Sequence, residues 1–181
     1  MSTTSSTEQL VADLYEVDGK AEIVDGRIVM MSPTGGKPGR SAVRIYLSLL
    51  QYESQVPGYA YPDNVGFVVD LPDRKSFSPD ASFAIQEPEM SFVKGAPLFA
   101  AEIRSENDYG PAAEQAMAAK RADYFAAGTK VVWDVNLLSE DVVHVYRAEN
   151  PEEPTVYRKG EAAAAEPAVP GWTMPVDALF E

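Results

Sequence analysis

The segment that most constrains the fold is a helix-forming stretch between two short apolar runs. Residues Pro111–Ala127 are predicted to form a helix, because proline is favoured in a first turn and Gly128 stands where helices end. Leu98–Arg104 before it and Lys130–Val135 after it have the length and apolar content of strands. A strand, a helix and a strand in this order predict a parallel pair with a right-handed crossover.

The remaining elements extend this unit into a mixed sheet. Asp25-Gly26 between the apolar runs of Ala21–Met31 predicts a hairpin, and the loop Ser32–Gly39 precedes a helix expected over Arg40–Gln55. Further predictions are a helix at Glu8–Val17, strands at Val65–Leu71, Asp80–Ile85, Val142–Arg147 and Thr155–Arg158, a surface excursion at Glu161–Pro170 and a helical turn at Val176–Phe180.

The order of elements predicts an α/β (α+β) fold in which helices flank a mixed β-sheet and a β-hairpin lies near the N-terminus. The 181 residues suit one domain, 1–181, with a real hydrophobic core. Residues 1–7, rich in Ser and Thr, are expected to form a flexible tail.

Composition limits the chemistry of any site. The chain has no cysteine, and its one histidine, His144, lies in an alternating run that predicts an ordinary strand residue. Zinc sites built on thiolate or imidazole ligands are therefore unexpected, and a metal should be a hard ion held by carboxylates. No apolar run approaches the roughly 20 residues of a membrane span, and the N-terminus lacks signal-peptide features. A cytoplasmic location is expected.

The net charge of −13 argues against nucleic-acid binding through a broad basic surface, because phosphate contacts need Lys and Arg. A protein of this charge that acts on nucleic acid must rely on a local site and its metal ions.

Two acids could form such a site. Asp80 follows Ser78-Pro79 at the start of one strand, and Glu102 lies near the end of the next. If these strands pair antiparallel, the carboxylates face each other and repel unless a cation lies between them. Two acids and a neighbouring backbone carbonyl are typical Mg²⁺ ligands. The alternative is that Asp80 closes a turn and Glu102 is a solvated strand end.

A lysine on the following helix is the third candidate. Met117, Lys120 and Tyr124 fall on one helical stripe. A lysine among core contacts either extends to water or meets an acid. Because the helix packs back across the sheet that holds Glu102, Lys120 is placed to reach the carboxylates.

Several segments, in this order, resemble a bacterial family of restriction-endonuclease-like proteins within the PD-(D/E)xK nuclease superfamily, long catalogued as a domain of unknown function. They span about four-fifths of the chain, and the ordered set is more specific than any one piece. The matching segments are 21–29 with 31–35, 78–82, 102–105, 120–124 with Gly128 and Trp133, and 169–172.

The resemblance implies a nuclease core of one helix, three strands, a helix and a strand. It implies that Asp80 is the acid of the Pro-Asp motif and that Glu102 is the second acid. With the Ile103 carbonyl, these acids would bind Mg²⁺ or Mn²⁺.

The lysine of the superfamily's standard pattern lies two residues after the second acid, where this chain has Arg104. The resemblance implies that the lysine has moved to the helix as Lys120, with Arg104 substituting or assisting from the same strand face. Glu22 matches a further family acid. Many members have a histidine after the Ser-Pro-Thr-Gly loop, where the nearest residue here is Arg40, and the segment 106–113 is longer than usual.

The predicted function is metal-assisted hydrolysis of nucleic-acid phosphodiester bonds, with DNA as the expected substrate. Lys37, Arg40 and Arg44, near the start of the first long helix, are expected to contact the backbone. A homodimer is expected by analogy with restriction nucleases. The alternative is a non-catalytic binding or regulatory module on the same fold. A hydrolase acting on another substrate has no Ser-His-Asp or Cys-His set to support it.

Overall fold

The computed structural model describes residues 6–181. Three helices and thirteen short strands make up the regular structure of this part of the chain. In chain order they are α1 Thr7–Tyr15, β1 Ala21–Val24, β2 Arg27–Met30, α2 Gly36–Tyr52, β3 Tyr59–Tyr61, β4 Phe67–Val68, β5 Ser76–Phe77, β6 Ala81–Ala84, β7 Val93–Lys94, β8 Phe99–Ile103, α3 Pro111–Ala127, β9 Val131–Val135, β10 Val143–Arg147, β11 Asn150–Tyr157, β12 Ala162–Ala164 and β13 Thr173–Pro175, with 3₁₀ turns at Glu53–Gln55 and Val176–Phe180.

A six-stranded mixed sheet forms the centre, with strand order β11-β10-β9-β8-β6-β3. Strands β8 and β9 are parallel, and α3 connects them. The other neighbours in the sheet pair antiparallel. The predicted fold class and the parallel pairing of the strands on either side of α3 are confirmed.

The two long helices cover opposite faces of this sheet. Ile45 and Leu49 of α2 share a buried cluster with Ala101 and Ile103 of β8. Tyr124 of α3 lies in a second cluster that includes residues 100 and 132. Successive side chains of a strand point to opposite faces, so Glu102 lies on the face covered by α3.

Local signals explain where the helices begin and end. Gly128 adopts the left-handed conformation that ends α3, with φ 110°. Helix α2 begins at Gly36, so the predicted loop is four residues shorter than expected. Pro38 is tolerated there because first-turn N–H groups have no partner within the helix.

The predicted hairpin is present as β1 and β2. Val24 pairs with Arg27, and the two residues between them have positive φ, 52° at Asp25 and 70° at Gly26. This is the turn that Asp-Gly favours. Ile23 of β1 packs against α1, and together they form a third buried cluster.

The predicted strand over 65–71 is shortened to β4, which joins β5 and β7 in a separate three-stranded sheet. The tail prediction is wrong for two residues, since Ser6 caps α1 and Thr7 begins it; the other residues of that tail, 1–5, lie outside the described part. None of the helices in residues 6–181 is long and apolar enough to cross a membrane.

The predicted surface excursion at Glu161–Pro170 is wrong. It contains β12, and Ala163, Ala165, Ala168 and Val169 are buried in the main core. Alanine side chains are small enough to lie beside large aromatic rings there, and Trp133 Nε1 donates to the Ala164 carbonyl at 2.9 Å. An Ala/Glu/Pro composition suggests a polar loop, but the packing partners are distant in sequence.

The C-terminal segment should therefore contribute strongly to stability through Trp172. Its ring is 2% exposed and stacks on Trp133 with centroids 5.1 Å apart. We expect Trp172→Ala to lower the free energy of unfolding by about 3–5 kcal/mol in urea titrations. Leu138→Ala, at a side chain 79% exposed, should change it by less than about 0.5 kcal/mol. Equal effects of the two substitutions would contradict this packing.

Candidate active site

Asp80 and Glu102 face each other at one end of the β6–β8 pair. The register pairs Ala81 with Ala101 in antiparallel strands, and the Asp80 N–H donates to the Ala101 carbonyl at 3.1 Å. Asp80 Oδ2 accepts from the Ile103 N–H at 2.7 Å. The two carboxylates predicted from the sequence are therefore neighbours, because antiparallel pairing sets the start of β6 beside the end of β8.

Lys120 reaches Glu102, but not Asp80, from α3. Its Nζ lies 2.8 Å from Glu102 Oε1 and 2.9 Å from Glu22 Oε1. The stripe of Met117, Lys120 and Tyr124 lines a small cleft together with Glu102. Helix α3 brings the lysine over the sheet because it must return across the β8 face to start β9.

Glu22 enters the site from the hairpin, outside the central sheet. Its carboxylate is almost fully buried and accepts from Arg74 at 2.7 Å and from the Ser78 N–H at 2.8 Å. Arg74 also pairs with Asp123, one turn beyond Lys120 on α3, at 2.9 Å. Glu22 thus connects the hairpin both to α3 and to the chain leading into β6.

A second lysine, Lys20, contacts the other acid. Its Nζ lies 2.8 Å from Asp80 Oδ1 and 2.6 Å from Asp63 Oδ1. The Lys20 carbonyl accepts from the Met31 N–H, and this backbone hydrogen bond extends the pairing of β1 and β2 by one residue pair. Burial acts to lower the pKa of Lys20, but Asp80, Glu102 and Asp63 outweigh it and raise the pKa.

Tyr124 completes the surroundings of Glu102. Its hydroxyl donates to Glu102 Oε1 at 2.6 Å, and its ring stacks on Phe77 with centroids 4.0 Å apart. Burial, together with the nearby carboxylates, raises the pKa of Tyr124 well above its usual value. Tyr124 is therefore a neutral hydrogen-bond donor.

The two acids bound to Lys120 have opposite pKa shifts. Burial raises the pKa of Glu102, and Asp80 acts in the same direction, although Lys120 opposes both. Burial would also raise the pKa of Glu22, but Lys120 and Arg74 outweigh it and the pKa is lowered. The pKa of Lys120 is raised because Glu102 and Glu22 together outweigh its burial. Lys120 is therefore an ammonium group near neutral pH.

Arg104 lies on the same strand face as Glu102, as predicted, but contacts different acids. Both of its contacts with the buried Asp134 are 2.8 Å long, and it also pairs with Glu114 of α3. Arg121 lies 3.4 Å from the same aspartate. Arg104 therefore joins β8, β9 and α3 beside the carboxylates, and within residues 6–181 its ion pairs are with Glu114 and Asp134, not with Asp80 or Glu102.

The three basic residues proposed to contact substrate lie on α2. Arg40 donates to the carbonyl of Glu181 at 3.0 Å, and Arg40 and Arg44 line an open depression with Gly36 and Val43. The buried side of α2 packs on the face opposite Glu102. The structure does not bring Lys37, Arg40 or Arg44 into contact with the carboxylates.

The donor set suits a hard divalent cation. No three His, Asp or Glu side chains within residues 6–181 are grouped to hold a metal by themselves, so Asp80 and Glu102 need other oxygen ligands. The Ile103 carbonyl suits this role, because a strand residue's C=O points to the same side as its N–H, here toward Asp80. Mg²⁺ commonly binds one or two carboxylates and keeps several waters.

Charge supports the same conclusion. The ion pairs of the site form two groups, one around Lys20 and one around Lys120 and Arg74, and each group has one more carboxylate than cations. With every acid ionised, the two groups together have a formal charge of −2, which one divalent ion would balance. The acids are Glu22, Asp63, Asp80, Glu102 and Asp123, and the cations are Lys20, Arg74 and Lys120.

Comparison with known proteins agrees with this fold. Residues 8–177 match the model of the Uma2 family, described as "Putative restriction endonuclease". A crystal structure of a "putative nuclease belonging to DUF820" from Anabaena variabilis matches with a TM-score of 0.71 and 18% identity, over 94% of this chain and 97% of that one. No curated protein matched.

The chain belongs to the Uma2 family of restriction-endonuclease-like proteins, and the resemblance inferred from its sequence is confirmed. Its mixed sheet flanked by helices is the fold of that Anabaena variabilis structure.

Sequence reasoning missed Lys20, Arg74 and Asp123. Lys20 and Glu22 are two residues apart on one strand edge, so alternation would have placed both side chains on one face. Asp123 follows Lys120 by three residues and lies on the same helix side. Arg74 lies in a loop, and no pattern in the sequence points to its burial.

We predict that Glu22 is the main structural ion of the site. Glu22→Gln should lower the free energy of unfolding by about 3 kcal/mol near neutral pH, because buried cations lose their partner. Burial would raise the pKa of Glu22, but Lys120 and Arg74 outweigh it, so the folded-state pKa lies below that of an unfolded glutamate. The contribution of Glu22 is therefore complete above the pKa of the unfolded state and is lost as pH falls through the folded-state pKa.

Urea titrations of both proteins at several pH values test this expectation. Their stability difference should be constant near neutral pH and shrink in acid. Asp70→Asn removes a fully exposed carboxylate paired with Lys75 and should leave the urea midpoint unchanged. A difference between wild type and Glu22→Gln that grows in acid would contradict the assignment.

Proposed function

We propose that this protein is a metal-dependent endonuclease that hydrolyses the phosphodiester bonds of DNA. The observation that carries the proposal is a pair of neighbouring carboxylates, Asp80 and Glu102, the second of which contacts a lysine, since Lys120 Nζ lies 2.8 Å from Glu102 Oε1. Family membership and the nuclease fold support it.

The metal ligands would be Asp80, Glu102 and the Ile103 carbonyl, with Mg²⁺ or Mn²⁺ as the ion. When bound, such an ion lowers the pKa of a water and polarises the scissile phosphate. The Ile103 N–H holds Asp80 Oδ2, and the Tyr124 hydroxyl holds Glu102 Oε1. These hydrogen bonds fix both carboxylates before a ligand arrives, which lowers the cost of binding.

Lys120 would orient the attacking water and stabilise the negative charge that develops on the phosphate. Its raised pKa favours these roles over abstraction of the water's proton, because an ammonium group has no free electron pair. Glu22 would hold Lys120 at the site through the 2.9 Å contact.

Arg104 would act as a positioning residue. Its guanidinium group is engaged by Asp134 and Glu114, which leaves it little capacity to bind a phosphate. Its contact with α3 would help to set the position of the helix that carries Lys120.

The DNA backbone would contact the basic residues of α2. Helix α2 carries Lys37, Arg40 and Arg44 and has no acidic residue, in a chain of net charge −13. Helix α2 is therefore a positively charged segment of an otherwise acidic molecule, and phosphate contacts need positively charged side chains.

The second candidate function is a binding module that kept the nuclease fold without catalysis. The net charge of −13 favours this candidate. Non-specific affinity for nucleic acid comes mainly from Lys and Arg side chains, so an acidic protein is poorly suited to a nuclease's substrate. This candidate differs from the first in one measurable property, since a module of this kind cleaves nothing in the presence of metal.

Removal of Asp80 or Lys120 should abolish metal-dependent cleavage. We expect Asp80→Asn and Lys120→Met each to lower the rate by at least about 100-fold, the usual effect of losing one group that stabilises a transition state. Asparagine keeps an acceptor for the Ile103 N–H, so the fold of Asp80→Asn should persist in circular dichroism and urea titrations. Lys120→Met leaves Glu22 and Glu102 without their shared cation, so its activity is compared only under conditions in which circular dichroism shows it folded.

The assay uses plasmid and single-stranded DNA with Mg²⁺, Mn²⁺ or EDTA. Lys75→Met removes a lysine that pairs with the exposed Asp70 and should cleave like wild type. Full activity of Asp80→Asn would exclude the assigned site. Absence of cleavage by the wild type with every substrate and metal would favour the binding module.

Neutralising the α2 cations should weaken DNA binding and its dependence on salt. We expect replacement of Lys37, Arg40 and Arg44 together by Gln to reduce the salt dependence of DNA binding. The slope of log K against log salt concentration should become shallower by up to about 0.9 for each phosphate contact that is lost. Fluorescence anisotropy with Ca²⁺ in place of Mg²⁺ measures this slope. A control triple variant, with Gln at the exposed cations Lys94, Lys130 and Arg158, should have the same slope as the wild type. Equal slopes for the two triple variants would contradict the α2 assignment.

A further inference from the structure

Lys20 is a second active-site cation with two carboxylate partners of different exposure. Asp63 is 45% exposed at the rim, whereas Asp80 is 21% exposed and lies inside the site. The Lys20 side chain itself is 16% exposed. Its ammonium group therefore lies at the entrance, between the acid that would bind metal and an acid that would not.

The ammonium contacts the oxygen of Asp80 that a metal would need. Oδ2 accepts from the Ile103 N–H at 2.7 Å, while Oδ1 accepts from Lys20 at 2.8 Å. Oδ1 thus provides most of the remaining capacity of this carboxylate for a cation. A divalent ion on Oδ1 and an ammonium group on the same atom repel each other.

Asp63 gives the ammonium group another place to bind. Its Oδ1 lies 2.6 Å from Lys20 Nζ and also accepts from the Asn64 N–H at 2.8 Å, which holds the carboxylate in place. Lys20 can therefore leave Asp80 without losing every anionic partner. The Lys20 backbone stays fixed, because its carbonyl accepts from Met31.

We propose that Lys20 is a tethered competitor of the metal: it neutralises Asp80 in the metal-free protein and moves to Asp63 alone when a divalent cation binds. Lys20 is in this sense a positioning residue that sets metal affinity. The inference rests on the proposed metal site, but its test needs no cleavage.

Titration calorimetry with MnCl₂, in the absence of nucleic acid, tests the proposal on the full-length chain. Lys20→Met should tighten Mn²⁺ binding by roughly tenfold or more, the effect expected when a like charge within about 4–6 Å is removed. Asp63→Asn should weaken binding, because Lys20 is then left with Asp80 alone. Lys75→Met, which removes the same charge at the Asp70 pair, should bind like wild type.

A double variant separates the effect of Lys20 from that of Asp63. If Asp63 acts by receiving the ammonium group, Lys20→Met with Asp63→Asn should bind Mn²⁺ nearly as tightly as Lys20→Met alone. Circular dichroism and urea titrations confirm that each variant is folded.

Three results of the Mn²⁺ titrations would contradict the proposed role of Lys20 or the metal site itself. Unchanged or weaker Mn²⁺ binding by Lys20→Met would overturn the proposal, as would equal tightening in Lys75→Met. If wild type binds Mn²⁺ and cleaves DNA but Lys20→Met binds no tighter, only this inference fails. If neither wild type nor Lys20→Met binds Mn²⁺, the inference and the metal dependence proposed above fail together.

Discussion

The contact of Lys120 with Glu22 and Glu102 is the interaction on which the site depends. It joins the N-terminal hairpin, the central sheet and helix α3, elements that are far apart in the chain. Buried carboxylates repel each other and are costly to desolvate, so each needs a cation nearby. The lysine supplies that charge to two of them, and its burial is in turn compensated by both acids.

This arrangement gives the two acids different tasks. Glu22 is nearly inaccessible, has a lowered pKa and bonds to Arg74 and the Ser78 N–H, which are the properties of a structural ion. Glu102 has a raised pKa and lies beside Asp80, so it gains most from an added cation. Lys20 and Lys120 each pair with one of the two acids Asp80 and Glu102, and the ion pairs of the site still have more carboxylates than cations.

Most of the fold could be predicted because its signals are local. Pro111 and Gly128 bracket α3, Asp25-Gly26 marks the hairpin, and apolar runs mark β8 and β9. The failures have another cause. The segment 161–170 has a loop-like composition, but its alanines lie beside Trp133 in the core. The burial of an alanine depends on distant partners, and local sequence does not specify them.

For the candidate site, the sequence by itself determined the identities and the order of Asp80, Glu102 and Lys120, and the alternation and helical period that allow them to meet. Only the tertiary structure decided the ion pairing. It joined Lys20 to Asp80 and Asp63, directed Arg104 to Asp134, and placed α2 on the face opposite Glu102. The physical reason is that periodicity fixes the direction of a side chain along its own element, whereas its charged partner depends on how separate elements pack.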